Sequence, residues 1–337
     1  MKKFAIFTFL LIAVTAAALR FGNAQQQVAT PASEDAASTA QKPTAQEVTS
    51  HDAGALELIR QSRTALFNYE SLQANLHQRV NLGNYKFTAS GSYSAASGFR
   101  SRLQYNVELG EMEGHFIEVS DGQILHTRRE VGPREIAGKS AGAMQVELAR
   151  RDIQKILQET QKQLELAEPQ ASQAMQAAEI GIGGLPAILA SLERMFFFES
   201  VKDDTIGGQQ VRIVQGRQNS ARVGELGEEY GAIAAQVAQL MPDLVRITLL
   251  ADSLFPMRIQ YLKQVDAEKN IYQPLLTLEF SEIRINQPLP AREFSYTAQP
   301  GIEEKDETPM FLETILGQPK EEEAQPEPAT EGTPAQN

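Results

Sequence analysis

Residues 72–109 read LQANLHQRVN LGNYKFTASG SYSAASGFRS RLQYNVEL, three short alternating runs in succession. In the first run Leu72, Ala74, Leu76, Val80 and Leu82 take the even places, while Gln73, Asn75, His77, Arg79 and Asn81 take the odd ones. After Gly83-Asn84 the apolar places fall at Tyr85, Phe87, Ala89 and Tyr93, and after Gly98 at Phe99, Leu103, Tyr105, Val107 and Leu109. A period of two puts successive side chains on opposite faces of a strand, so the stretch predicts an antiparallel meander with one apolar and one wet face. An apolar sheet face must be covered, and the nature of its cover bears on function.

The meander continues through His115–Ser120, and Asp121-Gly122 reads as a hairpin turn of type I′ before the return along Gln123–Arg128. A second antiparallel set lies far downstream: Val245, Ile247 and Leu249, then Phe255, Met257, Ile259 and Tyr261, then Leu276, Leu278 and Phe280. Helical spacing brackets the first set. Ala55, Leu58, Ile59, Ser62, Ala65, Leu66 and Tyr69 form one stripe over 51–69, with Asp52 or Ser50 placed to cap it. Ile153, Ile156, Leu157, Thr160 and Leu164 follow Asp152 at the same spacing, and Leu185, Ile188, Leu189, Leu192 and Met195 form a further stripe with Pro186 in its first turn. Phe196-Phe197-Phe198 opens a strand that turns at Gly207-Gly208 and returns along Val211, Ile213 and Val214. The order predicts an α+β fold: one large curved antiparallel sheet, an incomplete β-barrel, covered on its concave apolar face by helices. Such an interior holds apolar ligands when side chains do not fill it. The candidate lining residues are Tyr85, Phe87, Leu103, Tyr105, Ile117, Ile247 and Ile259; any one of them by itself reads first as core, and the cavity expectation rests on their number together.

Lys2-Lys3, an apolar run over 4–19 and small residues up to Ala24 read as a cleaved secretory signal over 1–24, placing the mature chain in the periplasm or outside the cell. The run is shorter than the roughly 20 residues that span a bilayer, so a soluble mature chain is expected. There is no cysteine. That excludes an acylated-cysteine anchor, disulfides and thiolate metal sites. Residues 25–50, rich in Gln, Ala, Thr and Ser, read as a disordered linker, and 318–337 as a disordered acidic tail. Between them 51–317 suits one domain, with a helical insertion at about 152–200. A net charge of −12 excludes nucleic acid as the main partner, because phosphates call for a basic face.

Catalytic chemistry finds no constellation in the sequence. The four histidines, His51, His77, His115 and His126, share no metal-ligand spacing, and no metal or cofactor is expected. Ser120, Asp121 and His126 lie close along one hairpin, where a Ser-Asp-Gly turn has its own local reason to exist. Asp203-Asp204 reads as a turn and Asp152 as a helix cap. The glycines of Ile180–Gly184 lack the lysine and spacing of a phosphate loop and read as a helix entry.

Three segments resemble the LolA-like family of periplasmic lipoprotein carriers, which also takes in mycobacterial lipid carriers and an envelope-stress sensor domain. They are Ser71–Gln78, Val119-Ser120-Asp121-Gly122 after Gly98-Phe99-Arg100, and the closing run Phe294–Ile302. The resemblance implies a half-barrel lidded by helices whose cavity takes acyl chains. Where the carriers place an arginine before a Pro-Asn-Leu-Phe turn, this chain has Ser94-Ala95-Ala96-Ser97-Gly98-Phe99. The expectation is an exported, non-enzymatic carrier of lipid or lipidated protein. The alternative is an envelope sensor or adaptor that binds another protein through the same fold, and an exported hydrolase is disfavoured for want of a nucleophile or paired acid.

Overall fold

The computed structural model describes residues 50–82, 85–134, 143–163, 173–222, 240–298 and 300–316. The expected signal segment, the expected linker through residue 49, the Gly83-Asn84 turn and the expected acidic tail lie outside them. Helix α1, Ala53–Asn68, opens the fold, and Asp52 caps it by accepting a 2.8 Å hydrogen bond from the Ala55 N–H. Of the expected stripe Ala55, Leu58, Ile59 and Ser62 are buried and Ala65, Leu66 and Tyr69 half-buried, while Arg63, off that stripe, is buried as well. Six strands follow: β1 Ser71–Leu82, β2 Tyr85–Ala96, β3 Arg100–Leu109, β4 Met112–Asp121, β5 Ile124–Pro133 and β6 Gln145–Asp152. Helices α2 Ile153–Gln163, α3 Gln173–Glu179 and α4 Leu185–Met195 come next. Then β7 Phe196–Ile206, β8 Gln209–Gln218, β9 Leu244–Leu250, β10 Pro256–Asp266 and β11 Ile271–Ile285 complete the second half. A 3-10 turn at Ala291–Phe294, the short β12 Glu304–Asp306 and helix α5 Thr308–Leu316 close the described chain.

All twelve strands form one open, curved sheet in the order β12-β6-β5-β4-β3-β2-β1-β11-β10-β9-β8-β7, an α+β half-barrel with helices on its apolar face. Every pairing is antiparallel except β12 on β6, which is parallel because the chain returns to that edge through a long connection. In β1 the even positions from Leu72 to Val80 are buried, including the polar Gln78. The Asp121-Gly122 turn sits one residue later than the sequence suggests. Asp121 still belongs to β4, its carboxylate accepts the N–H groups of Gln123 and Ile124 at 2.8 and 2.9 Å, and Gly122 takes the positive φ of 99°. Asp203 and Asp204 lie within β7, and the turn is the Gly207-Gly208 pair with φ of 58° and 82°.

The apolar face carries two separate cores. The larger joins α1 and α4 to β1–β4 and β7–β11, with Phe198, Phe255, Ile247 and Ile259 among its fully buried side chains. The smaller lies towards the β6 edge and holds Ile153, Ile156 and Leu157 of α2, Ala177 of α3, Ile180, Ile182, and Phe311 and Ile315 of α5. Glu179, at the end of α3, ties the two helical groups together by accepting Arg63 of α1 and Arg194 of α4, each at 2.6 Å.

Gly91 sets the spacing of β2 and β3. A Cβ there would stand 1.7 Å from the Gln104 carbonyl oxygen, inside the backbone of the neighbouring strand. Gly91→Ala therefore forces β2 from β3 and is expected to destabilise the fold by about 2–4 kcal/mol, read as a lowered midpoint in a urea titration.

Candidate functional site

Between the two cores the apolar face is not filled. A cavity of about 110 Å³ opens there, walled by Leu76, Tyr93, Leu103, Tyr105 and Phe116 from the sheet and by Ile153, Ile156, Ile182, Ile188 and Phe311 from the helices and their connections. The floor belongs to the larger core and much of the roof to the smaller, so the cavity is the seam where two covers meet over one sheet. Its volume is near that of an apolar cavity of about 150 Å³ that admits benzene, and below the roughly 300–1,000 Å³ of sites that enclose larger ligands.

The glycine run is part of this site. Gly181, Gly183 and Gly184 take φ of 85°, 111° and 67°, which carries the chain from α3 into α4 as a helix entry. A Cβ on Gly184 would meet the Tyr93 hydroxyl at 2.5 Å. Tyr93 in turn hydrogen-bonds the backbone of Leu185, and burial pushes its hydroxyl up to about 12. Burial also raises Tyr105, which faces the cavity from β3.

Polar side chains collect at the β4–β6 end. Glu118 projects between Leu103 of β3 and Thr127 of β5, on the same face as Phe116 and Ser120. Protein surrounds it, and the surface it keeps faces the cavity. Burial holds its carboxyl above the usual glutamate range; Arg151 and Arg129 oppose the rise and Glu307 adds to it. Arg151 reaches the cavity wall yet gives its Nη2 to Glu307 at 2.8 Å and lies over the Phe311 ring.

Of the residues singled out from sequence, Leu103 and Tyr105 stand in the cavity wall. Ile247 and Ile259 are wholly buried in the larger core, beneath the α1 and α4 side. Phe87 is half-buried against that core, and Tyr85 begins β2 opposite Leu82. Ile117 stands opposite Gln104 on the other face of β4, whereas Phe116 faces Tyr105. Two adjacent apolar residues made the phase of β4 ambiguous. The turn resolves it: Leu109 opposite Met112 leaves two residues between the strands and fixes Phe116 on the inner face.

The hairpin residues have structural partners. Ser120 accepts the Gly122 N–H at 3.1 Å, Asp121 holds the turn, and His126 stacks on Tyr296 at 4.3 Å with Glu304 2.7 Å from its Nδ1. Asp152 caps α2 through the Lys155 N–H at 2.8 Å. Among the described residues no three His, Asp or Glu side chains cluster as metal ligands, and no helix is long and apolar enough to cross a membrane.

No family model and no curated protein matches the chain. Solved structures similar to it are of the LolA-like fold that the sequence resembles. They include MucB, at 13% identity and a TM-score of 0.37, and the Pseudomonas aeruginosa MucA/MucB complex, at 12% and 0.36. Both cover 73% of this chain, which spans only 64% and 62% of theirs. LprF from Mycobacterium bovis, at 13% and 0.35, is covered over 97% of its length by 72% of this chain.

Glu118 offers a direct check on the site. Because its folded-state pKa is raised, the folded protein binds the proton more tightly than the unfolded chain, so ionising it on raising the pH costs stability. Glu118→Gln is expected to raise the melting temperature at about pH 8, and the gain should shrink towards zero as the pH falls to the ordinary glutamate value of 4.5. Paired thermal melts across that range measure it.

Proposed function

We propose that this protein is an exported, non-catalytic carrier that shelters an aliphatic chain, alone or attached to a protein, in the seam between its half-barrel and its helical cover. The observation that carries the reading is the unfilled apolar cavity between two separate cores. Protein interiors otherwise close-pack, and an apolar void of this size sacrifices dispersion contacts that larger side chains would recover. Export is part of the proposal and rests on the N-terminal sequence, 1–24. At about 110 Å³ the cavity holds a segment of one chain, and a longer acyl group requires α2 and α5 to move away from α4, since Glu179 ties α3 to it. Roughly 0.8 kcal/mol per buried methylene gives an eight-carbon chain about 6 kcal/mol of gross stabilisation, a weak complex once association entropy is subtracted.

Binding another envelope protein is the second reading, and the edge of β7, unpaired among the described residues, favours it, since an unpaired strand can accept another. That edge carries exposed Lys202 and Asp203, charges of the kind that discourage strand addition, so the carrier reading is the stronger.

Ala187, buried in the cavity wall, provides the test. Ala187→Leu fills the space and is expected to weaken binding of the neutral fluorophore N-phenyl-1-naphthylamine by about ten-fold, while Ile117→Ala, on the opposite face, leaves it unchanged. Equal binding by both variants and the wild type would place the fluorophore elsewhere and remove the basis of the reading.

A further inference from the structure

The inner face of β4–β6 bears an imbalance of charge that the hydrocarbon-binding reading does not use. Arg129 and Arg151 both turn to Glu307, with Nη1 3.8 Å and Nη2 2.8 Å from its carboxylate, and Arg129 also lies 4.0 Å from Glu147. Two guanidiniums thus serve two carboxylates, and Glu118 is the third acid. Among the described residues Glu118 has no hydrogen bond and no ion pair, yet it stands in the wall of the cavity with Leu103, Phe116 and Leu125 about it. Gln78, 3% exposed, faces the same space from β1.

Arg129 and Arg151 act on Glu118 only from a distance, and a carboxylate in an apolar wall without a direct partner is costly, so a cation or hydrogen-bond donor that enters the cavity supplies what burial removed. A second carboxylate does the reverse. It meets the surplus charge of Glu118, and the arginine that reaches the wall is already held by Glu307.

We infer that Glu118 makes the cavity selective for a single-chain amphiphile whose head is a cationic or hydroxyl hydrogen-bond donor, and against one with a carboxylate head. The inference rests on the carrier reading and adds the class of ligand to it. Glu118 accepts from the head while the aliphatic chain lies against Tyr105, Phe116 and Ile156. Binding in this arrangement involves no bond making or breaking.

Octylamine, octanol and octanoate share one chain and differ in the head, so each can be titrated against N-phenyl-1-naphthylamine bound to the full chain at neutral pH. Octylammonium is expected to displace the fluorophore at about ten-fold lower concentration than octanoate, with octanol between them. In Glu118→Gln, and equally in Glu118→Ala should the amide repack, the preference should fall to within about two-fold while the fluorophore still binds. Octanoate binding as well as octylammonium in the wild type, or the preference surviving both substitutions, would overturn the role of Glu118 and leave the carrier reading standing. Failure of the fluorophore and all three amphiphiles to bind the wild type would overturn the carrier reading itself, and this inference with it.

Discussion

The pairing of β1 with β11, from Leu72 opposite Ile285 to Val80 opposite Leu276, joins strands that stand at opposite ends of the folded chain. Without it there would be two sheets, each with a narrow apolar face that its own helices could close. With it there is one open face of twelve strands, covered by α1 and α4 from one side and by α2, α3 and α5 from the other. The two covers are interleaved along the chain, α2 and α3 running straight into α4, yet they form separate cores. Their seam is the cavity, so the site is a consequence of how the sheet is joined rather than of any single pocket motif.

The seam is held open by specific contacts. Glycines at 181, 183 and 184 let the chain cross it at positive φ, and Tyr93 rises from β2 to meet Gly184 and Leu185, fixing the height of the roof above the floor. Glu179 clamps α3 to α1 and α4 through Arg63 and Arg194, which leaves α2 and α5 as the part of the cover with fewer ties to the larger core. Glu118 and Gln78 place polar groups where a packed core would have apolar ones. A sequence selected for stability alone would replace them, and binding is a reason to keep them.

Periodicity made the strands legible. Ile247, Leu249, Ile259 and Leu278 alternate cleanly and are all buried, and the capping roles of Asp52 and Asp152 follow from residue type and position. It could not say which part of an apolar face is packed and which is open, because Leu103 and Ile259 obey the same alternation though one lines the cavity and the other lies in the core. The missing information is long-range: where α2 and α5 land is fixed by contacts such as the Thr308 hydroxyl with the Asp152 N–H, between residues distant in sequence. Glu118 stayed hidden for a simpler reason. In a strand pattern an acid beside Ile117 reads as the wet face, and only the Leu109–Met112 register turns it inward.

Whether the seam holds an amphiphile can be read by native mass spectrometry of the full chain, purified from an envelope extract and followed by organic extraction of whatever remains bound. The expected result is a one-to-one complex with a single-chain amphiphile, lost in Ala187→Leu. A clean mass of the protein alone, unchanged after incubation with octylamine or a short-chain lysolipid, would contradict it.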